Sequence, residues 1–208
     1  MSDNTHLDRR HALKLLAVGS LAGFAVTQGS TAHAACEGDG TPMQFVPKTK
    51  PDPEPLKDEL AKYPKCPYCG MDRKQYHHSR HLVQYADDLA DGTCSLHCAA
   101  ISLAINLDRG PKAIYAADFG AAAEIKPLVN VDEATYLIGS KLPGVMTARS
   151  KKAFGSKAVA EAAQKENGGE LGNFDAALKA AYASMADDTL MIRKKRAEKR
   201  AKMMEGKS

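Results

Sequence analysis

Apolar and polar positions alternate in two stretches of the chain, and in each the alternation gives way to helical spacing and then returns. In the first, His81-Leu82-Val83-Gln84-Tyr85 reads as a strand, Asp91-Gly92 as a turn and Thr93-Cys94-Ser95-Leu96 as a second strand. Cys98 to Leu107 is an apolar helical run stopped by Arg109-Gly110-Pro111, and Ala113-Ile114-Tyr115-Ala116 is strand again. In the second stretch, Ala134 to Ile138 is a strand, Pro143-Gly144 a turn and Val145 to Ser150 a strand. Ser156 caps a helix bearing Ala158, Val159, Ala162 and Ala163, Gly168-Gly169 ends it, and Glu170 to Phe174 is a short strand. Both stretches run β-β-α-β over about 40 residues. A unit that short buries little surface alone, so two copies must pack on one another. The expectation is an α+β domain over residues 66–186, with two ββαβ modules forming a pseudo-repeat.

The flanks break this pattern. Asp8-Arg9-Arg10-His11-Ala12-Leu13-Lys14 is a basic segment, and Leu15 to Val26 is apolar but too short to span a bilayer. With Ala32-His33-Ala34 behind it, residues 1–34 read as an export signal, and the Arg pair before Leu13 and Lys14 gives it twin-arginine character. The expected location is the periplasm or cell envelope. Cleavage after Ala34 gives a soluble mature chain, whereas cleavage after Ala35 would leave Cys36 first, as in a lipoprotein. His33 fits poorly as the residue preceding a lipidated cysteine by three, which favours the soluble form. Residues 35–65 hold most of a proline-rich stretch, since seven of the ten prolines lie between Pro42 and Pro67, and read as a stiff, solvated linker. Beyond Asp175, apolar positions keep helical spacing into a basic helical tail, residues 187–208.

Composition adds limits. The 208 residues are 44% hydrophobic and 26% charged, without tryptophan, which suits a soluble domain. A net charge of +4 is too small to imply nucleic acid. The tail holds eight basic and four acidic residues, so the body is close to neutral. Such a tail is either a solvated terminus or an electrostatic contact with anionic lipid or an acidic partner.

The candidate chemistry sits in one window. Outside the leader the histidines are His77, His78, His81 and His97, and four of the five cysteines are Cys66, Cys69, Cys94 and Cys98. All eight lie within residues 66–98. Thiolate, thioether and imidazole together select soft or borderline metals, chiefly Cu(I) and Zn(II). The C-x2-C and C-x3-C pairs come close to structural zinc spacing, which keeps a zinc-binding interaction module open. Met71, two residues past Cys69, favours Cu(I), because a thioether is a poor zinc ligand. Cys66-Pro67-Tyr68-Cys69 also spells a dithiol redox motif. However, no apolar strand precedes it, and Gly70 suits a helix poorly, so a ligand loop is preferred to a thiol oxidoreductase. Aligning the two turns sets Gly92-Thr93-Cys94 against Gly144-Val145-Met146, which puts a soft sulfur at matching strand positions.

The run Cys66-Pro67-Tyr68-Cys69-Gly70-Met71, followed by Ala113 to Phe119, Ala134 to Ser140 and Pro143-Gly144-Val145-Met146, resembles the NosL family. The likeness covers residues 66 to about 175. It implies a pair of ββαβ modules related to the organomercurial lyase core. It also implies an exported copper-binding accessory protein, often a lipoprotein, that delivers Cu(I) for assembly of the nitrous oxide reductase copper centres. The expected partners are therefore a copper enzyme or an ABC-type membrane copper-transfer complex, and no catalysis is expected. Cys66, Cys69, Met71 and Met146 match the family's motif positions. Ala148 stands where the family carries histidine, and Cys94 and Cys98 are additional, so His97, Cys94 and Cys98 are candidates for the missing ligand. An organomercurial-lyase-like enzyme using Cys66 or Cys94, with Asp91 or Asp118 as proton donor, is the remaining alternative.

Overall fold

The computed structural model describes residues 50–107 and 109–205; residues 1–34 (expected as an export signal), Cys36 and the first part of the proline-rich stretch lie outside them. Twelve elements follow in chain order among the described residues. The first module holds β1 (His81–Tyr85), β2 (Ala90–Thr93), α2 (Leu96–Ile105) and β3 (Pro111–Ala117), preceded by the single turn α1 (Glu59–Lys62). A short β4 (Leu128–Asn130) extends its sheet, which is antiparallel in the order β2-β1-β3-β4. The second module holds β5 (Thr135–Ile138), β6 (Lys151–Phe154), α3 (Lys157–Asn167) and β7 (Glu170–Gly172), in the antiparallel order β6-β5-β7. In both modules the first strand is central and the other two flank it. This is the expected α+β pair of ββαβ units. The sheets meet just past β3, where the Phe119 N–H donates to the Ala153 carbonyl at 2.8 Å.

Of the expected strand Thr93–Leu96 only Thr93 lies in β2, because Ser95 caps α2 and Leu96 opens it, and two further boundaries differ through contacts distant in sequence. Asp91-Gly92 is inside β2 and not a turn; the reversal is at residues 86–89, where Asp88 takes a left-handed φ of 60°. Aspartate tolerates that conformation. Gly92 is needed for closeness instead: a Cβ there would lie 2.6 Å from Tyr63 Cβ and 2.7 Å from Arg73 Nη1. Pro143-Gly144, expected as a turn, is not one; the chain bends at 141–142 and 145–149, and Gly144 is needed for closeness, since a Cβ there would meet the Thr147 carbonyl oxygen at 2.2 Å. Residues 145–150, expected as a strand, instead form an irregular loop, and β6 begins only at Lys151. The loop is tied from outside. The Ala148 N–H donates to Asp188 at 3.0 Å, and Lys151 Nζ donates to the Arg149 carbonyl and Thr147 Oγ1, both at 3.0 Å.

The core lies between the sheets and two helices. Val83, Tyr85, Leu96, Ala99, Ala100, Ile114, Tyr136 and Ile138 pack with Ala177, Ala180 and Ala181 of α4 (Phe174–Ala183). Asn173 caps α4 by accepting from the Ala176 N–H at 3.0 Å. The alanine face of α4 lets it pack closely on α2. The last element, α5 (Met185–Glu205), holds the basic tail. No helix among the described residues is long and apolar enough to cross a membrane.

The proline-rich stretch is tied to the first module from residue 52 onward. The Asp52 N–H donates to the Asp88 carbonyl at 2.7 Å, and Tyr63 joins Leu82 and Ala90 in a small core cluster. Glu59 of α1 is buried between two guanidinium groups, 2.7 Å from Arg73 and 2.7 Å from Arg80. Arg73 is fully buried, and it also donates to the carbonyls of Tyr63 at 2.6 Å and His81 at 3.2 Å.

Candidate metal centre

The first pair of thiols is presented by a tight loop. Lys65 and Asp72 bridge in antiparallel fashion, the Cys66 N–H donates to the Met71 carbonyl, and the Gly70 N–H donates to the Cys66 carbonyl, both hydrogen bonds at 2.9 Å. The loop requires a φ of 77° at Gly70, which glycine adopts without strain. The six residues from Cys66 to Met71 therefore form a knuckle and not the helix start that a thioredoxin-like site would need.

The second pair comes from the end of β2 and the first turn of α2. Cys94 precedes the N-cap residue Ser95, and Cys98 lies in the opening turn, where the helix dipole favours negative charge. The four sulfur atoms of Cys66, Cys69, Cys94 and Cys98 all lie within 4.8 Å of one another. Cys94 Sγ is 3.4 Å from Cys69 Sγ, 3.8 Å from Cys98 Sγ and 4.0 Å from Met71 Sδ. Cys66, Cys94 and Cys98 are buried and Cys69 is half-buried. Met71 and Met146 are half-buried and pack against this cluster, with Val145.

The thiols do not titrate alike. Hydrogen bonds from the neighbouring thiols, Cys69 first, hold Cys66 below the usual thiol range. Cys94 and Cys98 are raised, chiefly because each serves as a protonated donor toward Cys66. Cys69 is raised by its hydrogen bond with Cys66 but lowered on balance by those with Cys94 and Cys98, so a cation is needed chiefly to drive off the protons of Cys94 and Cys98.

The four histidines separate. His81 is buried on β1 with Nδ1 3.0 Å from the Ser79 carbonyl, so Nδ1 carries the proton and Nε2 accepts from Tyr136 Oη at 3.1 Å. His77 Nδ1 accepts from the Lys126 N–H at 3.2 Å, and His78 Nδ1 lies 3.3 Å from Lys152 Nζ. Only His97, among them, lines the cavity of about 210 Å³ that Cys69, Cys98 and Met146 also line. Its Nδ1 is 3.5 Å from Asp188 Oδ2 of α5, and burial lowers its pKa against the opposing pull of that carboxylate. Ala148, at the position of the absent histidine, touches the same Asp188 through its N–H.

The expected equivalence of Cys94 and Met146 does not hold once the modules are aligned on their helix caps. Ser95 and Ser156 are the N-caps of α2 and α3, so Cys94 corresponds to Gly155 and Cys98 to Val159. Met146 reaches the thiols from the irregular loop before β6, held at a left-handed φ of 60°. The two sulfurs converge, but not by repeat symmetry.

Several supporting groups were not evident from local sequence. Tyr68 donates to Asp91, Ser102 Oγ donates to Asp91 at 2.6 Å, and Tyr85 lies 2.5 Å from Ser102. This chain ties the first thiol loop to β2 and α2, and burial raises the Asp91 pKa. Asp118, the other carboxylate considered as a proton donor, accepts from the Gly120 N–H at the junction of the sheets. The Arg196 guanidinium donates to the Cys69 carbonyl at 3.0 Å across 127 residues of sequence.

A family model described as NosL matches residues 57–182. A solved structure, described as that of the copper chaperone NosL from Shewanella denitrificans, is 24% identical, with a TM-score of 0.47, and the match covers 53% of this chain and 87% of that one. No match was found among curated proteins.

Proposed function

The chain belongs to the NosL family, and from that premise we propose that it is an exported metallochaperone that binds Cu(I) and hands it on for maturation of a periplasmic copper enzyme such as nitrous oxide reductase. The observation that carries this reading is the donor set: four thiols within 4.8 Å of one another, with Met71 Sδ 4.0 Å from Cys94 Sγ. A thioether beside the thiolates favours soft Cu(I) over borderline Zn(II). Met146 and His97 line the cavity beside Cys69 and Cys98, so a ligand from either side can replace a thiolate during transfer.

Release needs an exposed edge, which the half-buried Cys69 supplies. An incoming ligand would enter there, while Cys66, buried and favoured as thiolate, holds the ion longest. Loading sheds the protons of Cys94 and Cys98, so acid opposes loading and assists release. Twin-arginine export of the folded chain would carry the thiols across the membrane reduced, with their metal in place, into an oxidising compartment. The client would be a copper enzyme or an ABC-type transfer complex in the envelope, and the protein itself performs no chemistry on a substrate.

Anaerobic titration of the reduced protein with Cu(I), in competition with a chromogenic chelator, tests the proposal. One Cu(I) per chain, bound far more tightly than millimolar and recoverable by the chelator, is expected; binding no tighter than millimolar overturns it. The same four thiols favour a second reading, since buried clusters of four cysteines hold structural zinc. In that case the purified protein retains one zinc per chain and unfolds on chelation, whereas the chaperone stays folded when its metal is removed.

A further inference from the structure

The family match ends at residue 182, and α5 follows it. Its first turn is pinned. Asp188, 1% exposed, accepts from the Ala148 N–H at 3.0 Å and from Ser184 Oγ at 3.0 Å, beside His97. The next two turns cross the mouth of the thiol cluster: Thr189, Ile192 and Arg196 line the same cavity as Cys69, Cys98 and Met146. Arg196 then fastens the helix to the first thiol loop through the Cys69 carbonyl. Past that point the helix is exposed to solvent, as expected for a run as basic as Lys199 to Lys202.

Two properties follow from this placement. Cys69 is the most accessible of the four thiols, and α5 walls the cavity through which it meets solvent. The attachment is also uneven. A buried, multiply bonded anchor at Asp188 is followed by one hydrogen bond from an exposed side chain, so the segment from Ile192 onward separates at far lower cost than the anchor.

We propose that α5 is a hinged wall of the thiol site, in which Ile192 and Arg196 set the size of what can reach Cys69 and Cys98. Small ligands enter with the wall in place, and a larger partner must first break the Arg196 contact. The inference rests on the four thiols being the cargo site, but its test requires no metal, so it can fail independently of the copper reading.

The experiment uses the reduced, metal-free full chain, alkylated in parallel with iodoacetamide and with a bulky neutral iodoacetamide bearing a polyethylene glycol chain. Modification is read at the Cys69 and Cys98 peptides by mass spectrometry. The ratio of small-reagent to bulky-reagent rate is the readout, because any change in thiolate fraction affects both reagents alike and cancels. Ile192→Ala/Arg196→Ala is expected to lower this ratio at least about fivefold, and Arg196→Ala alone to lower it in the same direction. Lys202→Ala, beyond the mouth, leaves it unchanged. Arg196 is exposed, so its single substitution keeps the fold even if the double variant melts early. An Arg196→Ala protein of native helix content with the ratio of the parent overturns the proposal, as does an equal fall in Lys202→Ala.

Discussion

The two modules share a strand order and a capping serine but differ in what surrounds their helices. In the first, α2 buries Leu96, His97, Cys98, Ala99, Ala100 and Ser102, because β1, β2 and α4 pack on it and Asp188 of α5 meets His97 in its first turn. In the second, α3 buries only Ala160 and stays amphipathic. At corresponding positions the first carries Cys94, Cys98 and Asp91, where the second carries Gly155, Val159 and Lys152. A repeat can thus keep one backbone while only one copy becomes a site. The copy that does so is the one whose helix N-terminus is enclosed, since only there do clustered thiols and a raised carboxylate become useful.

The difference is sharpest for buried charge. Arg73→Met removes one of the two partners of buried Glu59 and four carbonyl contacts, and should cost roughly 3–5 kcal/mol in urea unfolding. Lys152, in the second module, is also buried and is pushed down to about 8 by desolvation; its contacts are the His78 imidazole and the Phe119 ring. Lys152→Met should therefore cost under about 1 kcal/mol or stabilise. Equal losses for the two would erase the distinction between a charge network that holds the fold and a charge that is merely tolerated.

His81 joins the modules through Tyr136, and burial lowers its pKa from 6.5 to about 4. A base depressed in the native state takes up its proton more readily when unfolded, so unfolding gains protons as pH falls from 6.5 toward 4. Stability should decline over that window by roughly 3 kcal/mol, and His81→Gln should flatten the profile. A wild-type profile already flat between these limits would show that the junction is not proton-linked.

Site substitutions come next in size. Cys94→Ser should weaken Cu(I) binding at least about 100-fold in chelator competition, whereas Val159→Ala, on the helix of the other copy, should leave it unchanged. Tyr68→Phe removes one donor from buried Asp91 and should cost about 1–2 kcal/mol of stability with less than about a tenfold change in affinity. A larger affinity change would make that hydroxyl part of the site proper and not a brace for its loop.

Much of the fold was legible because its cues are local. Alternation marked β1 and β5, Ser156 marked the start of α3, and Gly168-Gly169 marked its end. The strand expected over 145–150 failed because its backbone is engaged by Asp188, 40 residues from Ala148, which no local pattern encodes. Asp91-Gly92 resembled a turn, yet Gly92 is required by the closeness of Tyr63 and Arg73, both distant in sequence. The histidines were the least legible part. Crowding into one window marked all of them alike, although β1 directs His81 into the core and only α2 directs His97 to the cavity.

Sequence alone determined the two modules, the set of soft sulfurs and the loop character of Cys66 to Met71. Each follows from periodicity, side-chain chemistry or a glycine within a few residues. The tertiary structure decided that two cysteine pairs separated by 25 residues converge within 4.8 Å, that Met146 arrives through a loop and not by symmetry, and that α5 lies over the mouth. Those outcomes depend on which surfaces the core leaves free and on single contacts such as Arg196 to Cys69, which span 127 residues and have no local signature.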